Sequence, residues 1–560
     1  MTGKSVLVLG GGVGGLSAAH ELAERGFQVR VVERKALFGG KARSVEMPNT
    51  GANGRKNLPG EHGFRFLPSF YKHVTDTMKR IPYPGNPRGV FDNIVPGTRA
   101  QIARDGKMSI IAVASYPKTL EDWVVALRSV CMGSELGLPD PEVLFYIDRL
   151  LVLLTTCEER RVAEYEKIPW WDFIDAGNKS AAYQQFLARG MTRSMVAIRA
   201  EEGSTRTVGY IGLQLILGLL KVGDPVDRLL NGPTNEVWIS PLVSYLQSLG
   251  VQLHTGVLLK SFMLGASGIS HVTVEDETGS SDLMADYYVA ALPVEVMAPL
   301  VSEDMKRAAP SIAHLDQLHT SWMNGIQFFL ERDVPVVHGH TIYIDSPWSL
   351  TSVSQRQFWR PNALEQYGDG RLGGILSIDI SDWNSPGILY GKPAIQCSAE
   401  EIRNEVWAQV KEHLNVDGMR QLEDSNLLNW FLDPDIEFPN PTQVTNLEPL
   451  LINTAGSLAF RPEAYTEIPN LFLASDYVRT YTDLACMEAA NEAARRATNA
   501  ILEREGSAAP HAALWPLEEP EFFKPMRAYD LLRFQLGLPH AGIQPDPRLL
   551  RTSDRAKAAN

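Results

Sequence analysis

Ser5-Val-Leu-Val-Leu9 runs straight into Gly10-Gly11-Gly12-Val13-Gly14-Gly15, and this junction constrains the chain more than any other feature. A short apolar run suits a strand buried on both faces. The glycines then stop it. Leu16, Ala19 and Leu22 recur at helical spacing up to Arg25, and Gly26 stands where a helix C-cap glycine belongs. Phe27 to Val32 forms a second apolar strand that closes on Glu33. Strand, glycine turn, helix, strand and terminal acid together specify a dinucleotide-binding unit. In it Gly10 allows the tight turn, Gly12 lets backbone approach a pyrophosphate, and Gly15 permits close helix–strand packing. The first helical amides, from Val13 and Gly14 onward, offer N–H groups and a positive dipole end to phosphate. A carboxylate at Glu33 accepts ribose hydroxyls and disfavours a 2′-phosphate, so NADP does not suit the site.

The same unit holds NAD or FAD, and the following residues separate them. Gly39-Gly40-Lys41-Ala-Arg43 comes a short step after Glu33-Arg34. Paired glycines let that loop fold back over the pyrophosphate, with Arg43 as a fork-shaped anion partner.

From Gly10 through Glu33-Arg34 to Gly40-Lys41-Ala-Arg43, the chain resembles the entry segment of the flavin amine oxidase and phytoene desaturase superfamily. Gly60-Glu-His62-Gly63-Phe64-Arg65-Phe66, followed by Phe70-Tyr71, is similar to that family's stretch beside the flavin. A middle strand around Val257 also fits, as do Leu471-Phe-Leu-Ala-Ser475-Asp476-Tyr477 and Leu484-Ala-Cys-Met487-Glu488-Ala489. Ser475 departs from the glycine usual before the Asp. The resemblance implies FAD as cofactor, held by these segments, with Asp476 at the ribityl or phosphate part and Met487 opening a helix aimed at the isoalloxazine. A helix N-terminus there would stabilise negative charge on the reduced ring. Arg65, Tyr71 and Glu488 lie in segments expected near the flavin and are the candidates for catalytic work; none is assigned as acid or base.

Nucleotide-type pieces therefore occur at the start, middle and end of 560 residues, too many for one core. The expected fold is α/β. A Rossmann-like FAD-binding domain is assembled from 1–110, 231–300 and 450–505. A mixed α+β substrate domain with a helical insertion comes from 111–230 and 301–449, and 506–560 is an extension wrapping the surface. Strands are expected at 251–254, 257–263, 271–275, 287–291 and 469–474. Helices are expected within 120–154, at 210–220 and at 484–504, and the apolar ones read as the core of a helical cap ahead of a channel wall.

A net charge of −13 without a basic run excludes phosphate-driven binding to nucleic acid. Cys131, Cys157, Cys397 and Cys486 are scattered and read as reduced thiols, and His338-Gly-His340 reads as a loop, so no metal is expected. Trp348, Phe358, Trp359 and Trp383 read as core. No apolar run spans a bilayer, and the expected setting is cytoplasmic, with peripheral membrane contact as a route for substrate. The expected activity is hydride removal from a substrate carbon to flavin N5, desaturating a hydrophobic small molecule. Two alternatives stand beside it: an amine or amino-acid oxidase that uses O2, and a non-catalytic prenyl-lipid carrier of the same fold. Oligomeric state is not legible.

Overall fold

The computed structural model describes residues 3–112, 136–220, 228–440 and 443–542. At its centre lies a five-stranded sheet in the order Leu471–Leu473, Tyr287–Ala290, Ser5–Leu9, Gln28–Glu33, Gln252–Thr255. Every pairing in it is parallel, with Val8 beside Val289 and Val31. Parallel strands are covered on both faces, and accordingly Val6 to Leu9 and Tyr287 to Ala290 are buried throughout. Helix Val13–Glu24 packs on this sheet beside helix Met487–Glu505, one from each end of the chain. Gly26, at φ 84°, turns the chain from the first helix into the second strand.

The second layer system is a seven-stranded sheet, ordered Leu427–Leu432, Asn324–Leu330, Gly374–Ile380, Leu350–Ser354, Thr341–Tyr343, Ala100–Arg104, Lys107–Ala112. Asn324–Leu330 and Gly374–Ile380 are buried at every residue, which makes them the spine of this sheet. Helix Ala399–Leu414 covers it, started by a capping box between Ser398 and Glu401, and Trp407 packs against Phe328. Trp348, Phe358, Trp359 and Trp383 are all buried here as core. The strands at 100–112 straddle the expected boundary at 110 and belong to this sheet, because Ala100–Arg104 pairs in parallel with Thr341–Tyr343.

Helices Asp140–Thr155 and Thr205–Leu220 form the helical insertion and share a separate apolar core with Trp170, Phe173 and Tyr183. The expected helical stretch between 120 and 135 lies outside the described residues. The C-terminal extension is more than a wrapping tail. It folds into helix Lys524–Gln535, which docks on Asp140–Thr155 and Glu158–Ala163. Asp530 fastens it, accepting from Arg160 Nε at 3.0 Å and from the Cys157 amide at 3.0 Å in a buried contact. Pro510, Pro516, Pro520 and Pro525 suggested an extended segment, but Pro525 stands in the first turn of the helix, where its missing N–H breaks no bond. Cys157, Cys397 and Cys486 are free thiols. No helix among the described residues is long and apolar enough to cross a membrane.

Candidate active site

The glycine junction, the loop after Glu33, the 62–65 stretch and the 474–490 segment converge on one cavity of about 330 Å³. Gly10, Gly12, Val13, Gly14, Glu33 and Arg34 line one part of it, joined by Gly40, Lys41 and Val257. His62, Gly63, Phe64, Arg65, Asp476 and Met487 line the rest. Segments hundreds of residues apart in sequence thus face one space.

The glycines are required by geometry. A Cβ on Gly15 would sit 1.9 Å from Gly10 O, and one on Gly14 2.1 Å from Ala474 O. Gly15 therefore serves helix packing and does not line the cavity. Gly12 differs: its Cβ would meet nothing nearer than Gly40 Cα at 3.6 Å, so the room beside it is open for a ligand. Helix Val13–Glu24 has no side-chain cap and no acid in its first turn. Its orphan amides and positive end face the cavity unneutralised.

Glu33 is oriented by backbone. Its Oε2 accepts from the Gly11 amide at 2.7 Å and its Oε1 from the Lys35 amide at 2.9 Å. Each oxygen keeps a lone pair for a diol. Val257 N donates to Glu33 O at 2.9 Å, tying the middle segment to this strand end. Open space at Gly12, uncapped amides and a fixed acid fit the pyrophosphate and ribose of FAD.

Arg43 corrects the expectation. Its guanidinium is buried and turned from the cavity, bonding Gly40 O at 2.7 Å, Glu448 Oε2 at 2.8 Å, and Asp435 Oδ2. It fastens the glycine loop to the segment before Leu450–Ile452, leaving no donor fork for phosphate. Against the desolvation that burial imposes, Arg43 with His62 and Lys35 holds the Glu448 carboxyl down at about 2. Lys41 is likewise engaged, donating to Glu295 at 2.9 Å and to Pro449 O. Among the described residues His62, Asp435 and Glu448 come close enough to share an ion. Arg43 and Lys35 already supply the positive charge there.

Two catalytic candidates are also corrected. Glu488 caps another helix: its carboxylate accepts from the Lys72, His73 and Val74 amides at 2.6–2.9 Å and meets His73 Nδ1 at 2.8 Å. Tyr71 is buried outside the cavity against Cys486, and burial pushes its phenol well above the ordinary range. Helix Met487–Glu505 does open on the cavity through Cys486, Met487 and Ala490, with no side-chain cap on its first amides. Asp476, also in the lining, accepts from Ser475 Oγ at 3.3 Å.

Residues missed from sequence complete the wall: Leu292, Val296, Met323, Leu450 and Asp379. Asp379 stood in plain view as the lone acid in the apolar strand Gly374–Ile380, since an acid inside a buried strand needs a reason. His340 of the His338-Gly-His340 pair packs edge-on against Phe64 and Phe66, and burial lowers its pKa to about 4.

A larger cavity of about 870 Å³ lies between helix Thr205–Leu220 and the 515–527 tail. Its charges are matched in pairs, Arg161 with Glu519, Arg206 with Asp483 and Lys72 with Glu518. It offers no cofactor chemistry comparable to the glycine cradle.

Residues 8–81 match the NAD(P)-binding Rossmann-like domain, and residues 176–502, more than half of the chain, match the flavin containing amine oxidoreductases. The chain belongs to the flavin containing amine oxidoreductase family. As a member, it is an FAD-dependent oxidoreductase, which removes the ground for a flavin-free carrier. A 15-cis-phytoene desaturase of Synechococcus elongatus is 22% identical over 89% of this chain and 96% of its own length. A probable zeta-carotene desaturase of the same organism is 22% identical over 90% and 100%. The soybean (Glycine max) 15-cis-phytoene desaturase is 22% identical over 64% of this chain, and the match spans 60% of that relative. Among solved structures, putrescine oxidase bound to putrescine overlays with a TM-score of 0.57 at 11% identity, covering 89% of this flavin oxidoreductase and 99% of that chain. A putative protoporphyrinogen oxidase from Exiguobacterium gives 0.54 at 16%, covering 90% and 98%. These overlays establish the fold.

Proposed function

We propose that the protein dehydrogenates a hydrophobic small molecule of the polyene class, introducing a carbon–carbon double bond. What carries this reading is the apolar share of the cavity wall, where Phe64, Val296, Met323, Leu450 and Met487 present hydrocarbon surface. An apolar surface binds a hydrocarbon chain by excluding water from both. Desaturase relatives matching along about nine-tenths of the chain favour the same substrate class.

Bound FAD supplies the two-electron acceptor. Glu33 and the amides at Gly12 to Gly14 would hold its nucleotide part, and the start of helix Met487–Glu505, where it opens on the cavity, would face its ring. The apolar residues hold the reacting carbons near the ring and keep water out.

The test is anaerobic. FAD-loaded protein is mixed with 15-cis-phytoene or zeta-carotene in lipid vesicles, and flavin absorbance and product spectra are followed. Bleaching of the flavin with a product of longer conjugation is expected. Bleaching by amines or amino acids alone, with peroxide formed on admitting O2, would replace this reading by an amine oxidase.

A further inference from the structure

The polyene reading leaves unanswered where the proton goes when a saturated carbon pair becomes a double bond. Asp379 sits in the buried spine of the seven-stranded sheet, directly opposite Gly325 on the neighbouring strand. Two glycines bring the cavity to it. A Cβ on Gly325 would lie 2.7 Å from Gly63 Cα, and a Cβ on Gly63 would lie 2.8 Å from Asp379 Oδ1. The 62–65 stretch therefore lies flat against the carboxyl. Asp379 Oδ1 is buried, in the cavity wall, and has no hydrogen-bond partner. Arg65 beside it is also in the wall, with Nε and Nη2 unpartnered and Glu61 Oε2 3.9 Å away. A buried carboxyl oxygen and a buried guanidinium, both incompletely bonded, cost stability that a purely structural pair would avoid. Their place in the wall of the cavity that helix Met487–Glu505 also opens on gives that cost a use.

We propose that Asp379 is the base that receives the substrate's proton during dehydrogenation, and that Arg65 holds its carboxylate form in place. The assignment rests on the polyene reading above. One C–H bond breaks with its hydrogen and electron pair passing to FAD. The adjacent C–H bond breaks toward Asp379 Oδ1, and its electrons close the new double bond. The substrate loses two hydrogens and two electrons; one hydrogen and both electrons end on FAD, and the carboxylate becomes a carboxylic acid. Other candidates fit worse. Glu61 is occupied by the Thr234 amide and hydroxyl, both at 2.9 Å, and neither it nor His340 lines the cavity. The charged groups around Asp379 are Arg65 and Asp433, with Glu61, His62 and Arg43 behind them. Burial, opposed by Arg65, pushes the Asp379 carboxyl up to about 7, so it is a carboxylate above neutrality and an acid below.

The holoprotein tests this without a substrate. Its FAD content is read first from visible absorbance, and the midpoint potential of the flavin is then titrated electrochemically against pH. Added negative charge on the ring raises the proton affinity of a nearby carboxylate. The native protein should therefore take up close to one extra proton per electron pair around neutral pH. Asp379→Asn should lose that uptake and Asp379→Glu should regain it. Arg65→Met should move the inflection to higher pH, which decides the matter if Asp379→Asn does not hold FAD. Anaerobic bleaching by phytoene vesicles should slow in Asp379→Asn by roughly 10²–10⁴-fold. A native protein that binds FAD and shows no inflection overturns the assignment, as does an Asp379→Asn variant with native uptake or a native bleaching rate. If the inflection is present and only amines bleach the flavin, the substrate class falls and the proton acceptor stands.

Discussion

The two ends of the cavity are built by different means. Around Glu33 the ligand-facing groups are mostly backbone amides, missing side chains and one carboxylate within Ser5 to Gly40, closed by local hydrogen bonds such as Gly39 N to Gly11 O at 2.8 Å. Around Asp379 they are side chains from separate strands and loops, brought together by the packing of one sheet on the 62–65 stretch. The same contrast divides two nearby arginines. Arg43 bonds Gly40, Glu448 and Asp435, whereas Arg65, in the cavity wall, keeps two nitrogens without a hydrogen-bond partner. A local cradle is general for dinucleotides; an assembled polar pair is where one oxidoreductase differs from another.

The sharpest way to break this comparison is at the cradle. Gly15→Val should abolish flavin binding and soluble expression, because even its Cβ would lie 1.9 Å from Gly10 O; purified yield and flavin absorbance report it. Next comes Arg43→Met. Removing the cation leaves Asp435 and Glu448 buried without it, at about 3–5 kcal/mol, seen as a lower Tm and a lower urea midpoint. Arg65→Met should cost clearly less stability if its donors serve the ligand. Gly12→Ala should fold with nearly native Tm and yet weaken FAD binding by about 100-fold, since its methyl occupies only the open space meant for phosphate.

Falling pH should destabilise the Arg43 end. Glu448 is held down at about 2 from an ordinary 4.5, so its contribution is complete above 4.5 and lost as pH falls toward 2. Urea unfolding between those limits should show it, and Arg43→Met should flatten the dependence. The smallest effect is Glu33→Gln, expected to weaken FAD about tenfold by losing one charge-assisted bond to ribose while leaving the fold intact.

How much of this could be read in advance follows the same division. The place of Gly10, Gly12, Gly14 and Glu33 in the cavity wall was legible because it depends on neighbours within one supersecondary unit. Arg43 was placed in the right loop and given the wrong partner, since Asp435 and Glu448 lie 392 and 405 residues further on. Glu488 was found near the right helix start, but its carboxylate is spent on the amides of Lys72 to Val74, a cap that only tertiary packing creates. Asp379 carried a signal, an acid among Gly, Ile, Leu and Ser, which says that something unusual is buried and not what it faces. Apolar periodicity found the strands of the five-stranded sheet and the helices Asp140–Thr155 and Thr205–Leu220, and none of the seven-stranded sheet. The strands at 100–112 went to the other sheet because parallel pairing with Thr341–Tyr343 leaves no mark on either sequence.

The central sheet takes its first two strands from near one end of the chain and an edge strand, Leu471–Leu473, from near the other. Strands Ser5–Leu9 and Gln28–Glu33 therefore leave the ribosome well before Leu471–Leu473 and helix Met487–Glu505 exist to close the cavity. Flavin would act only after that later segment has arrived, as a latch on the assembled cavity. Shortage of the vitamin should then appear as degraded full-length protein, with no accumulation of stalled fragments.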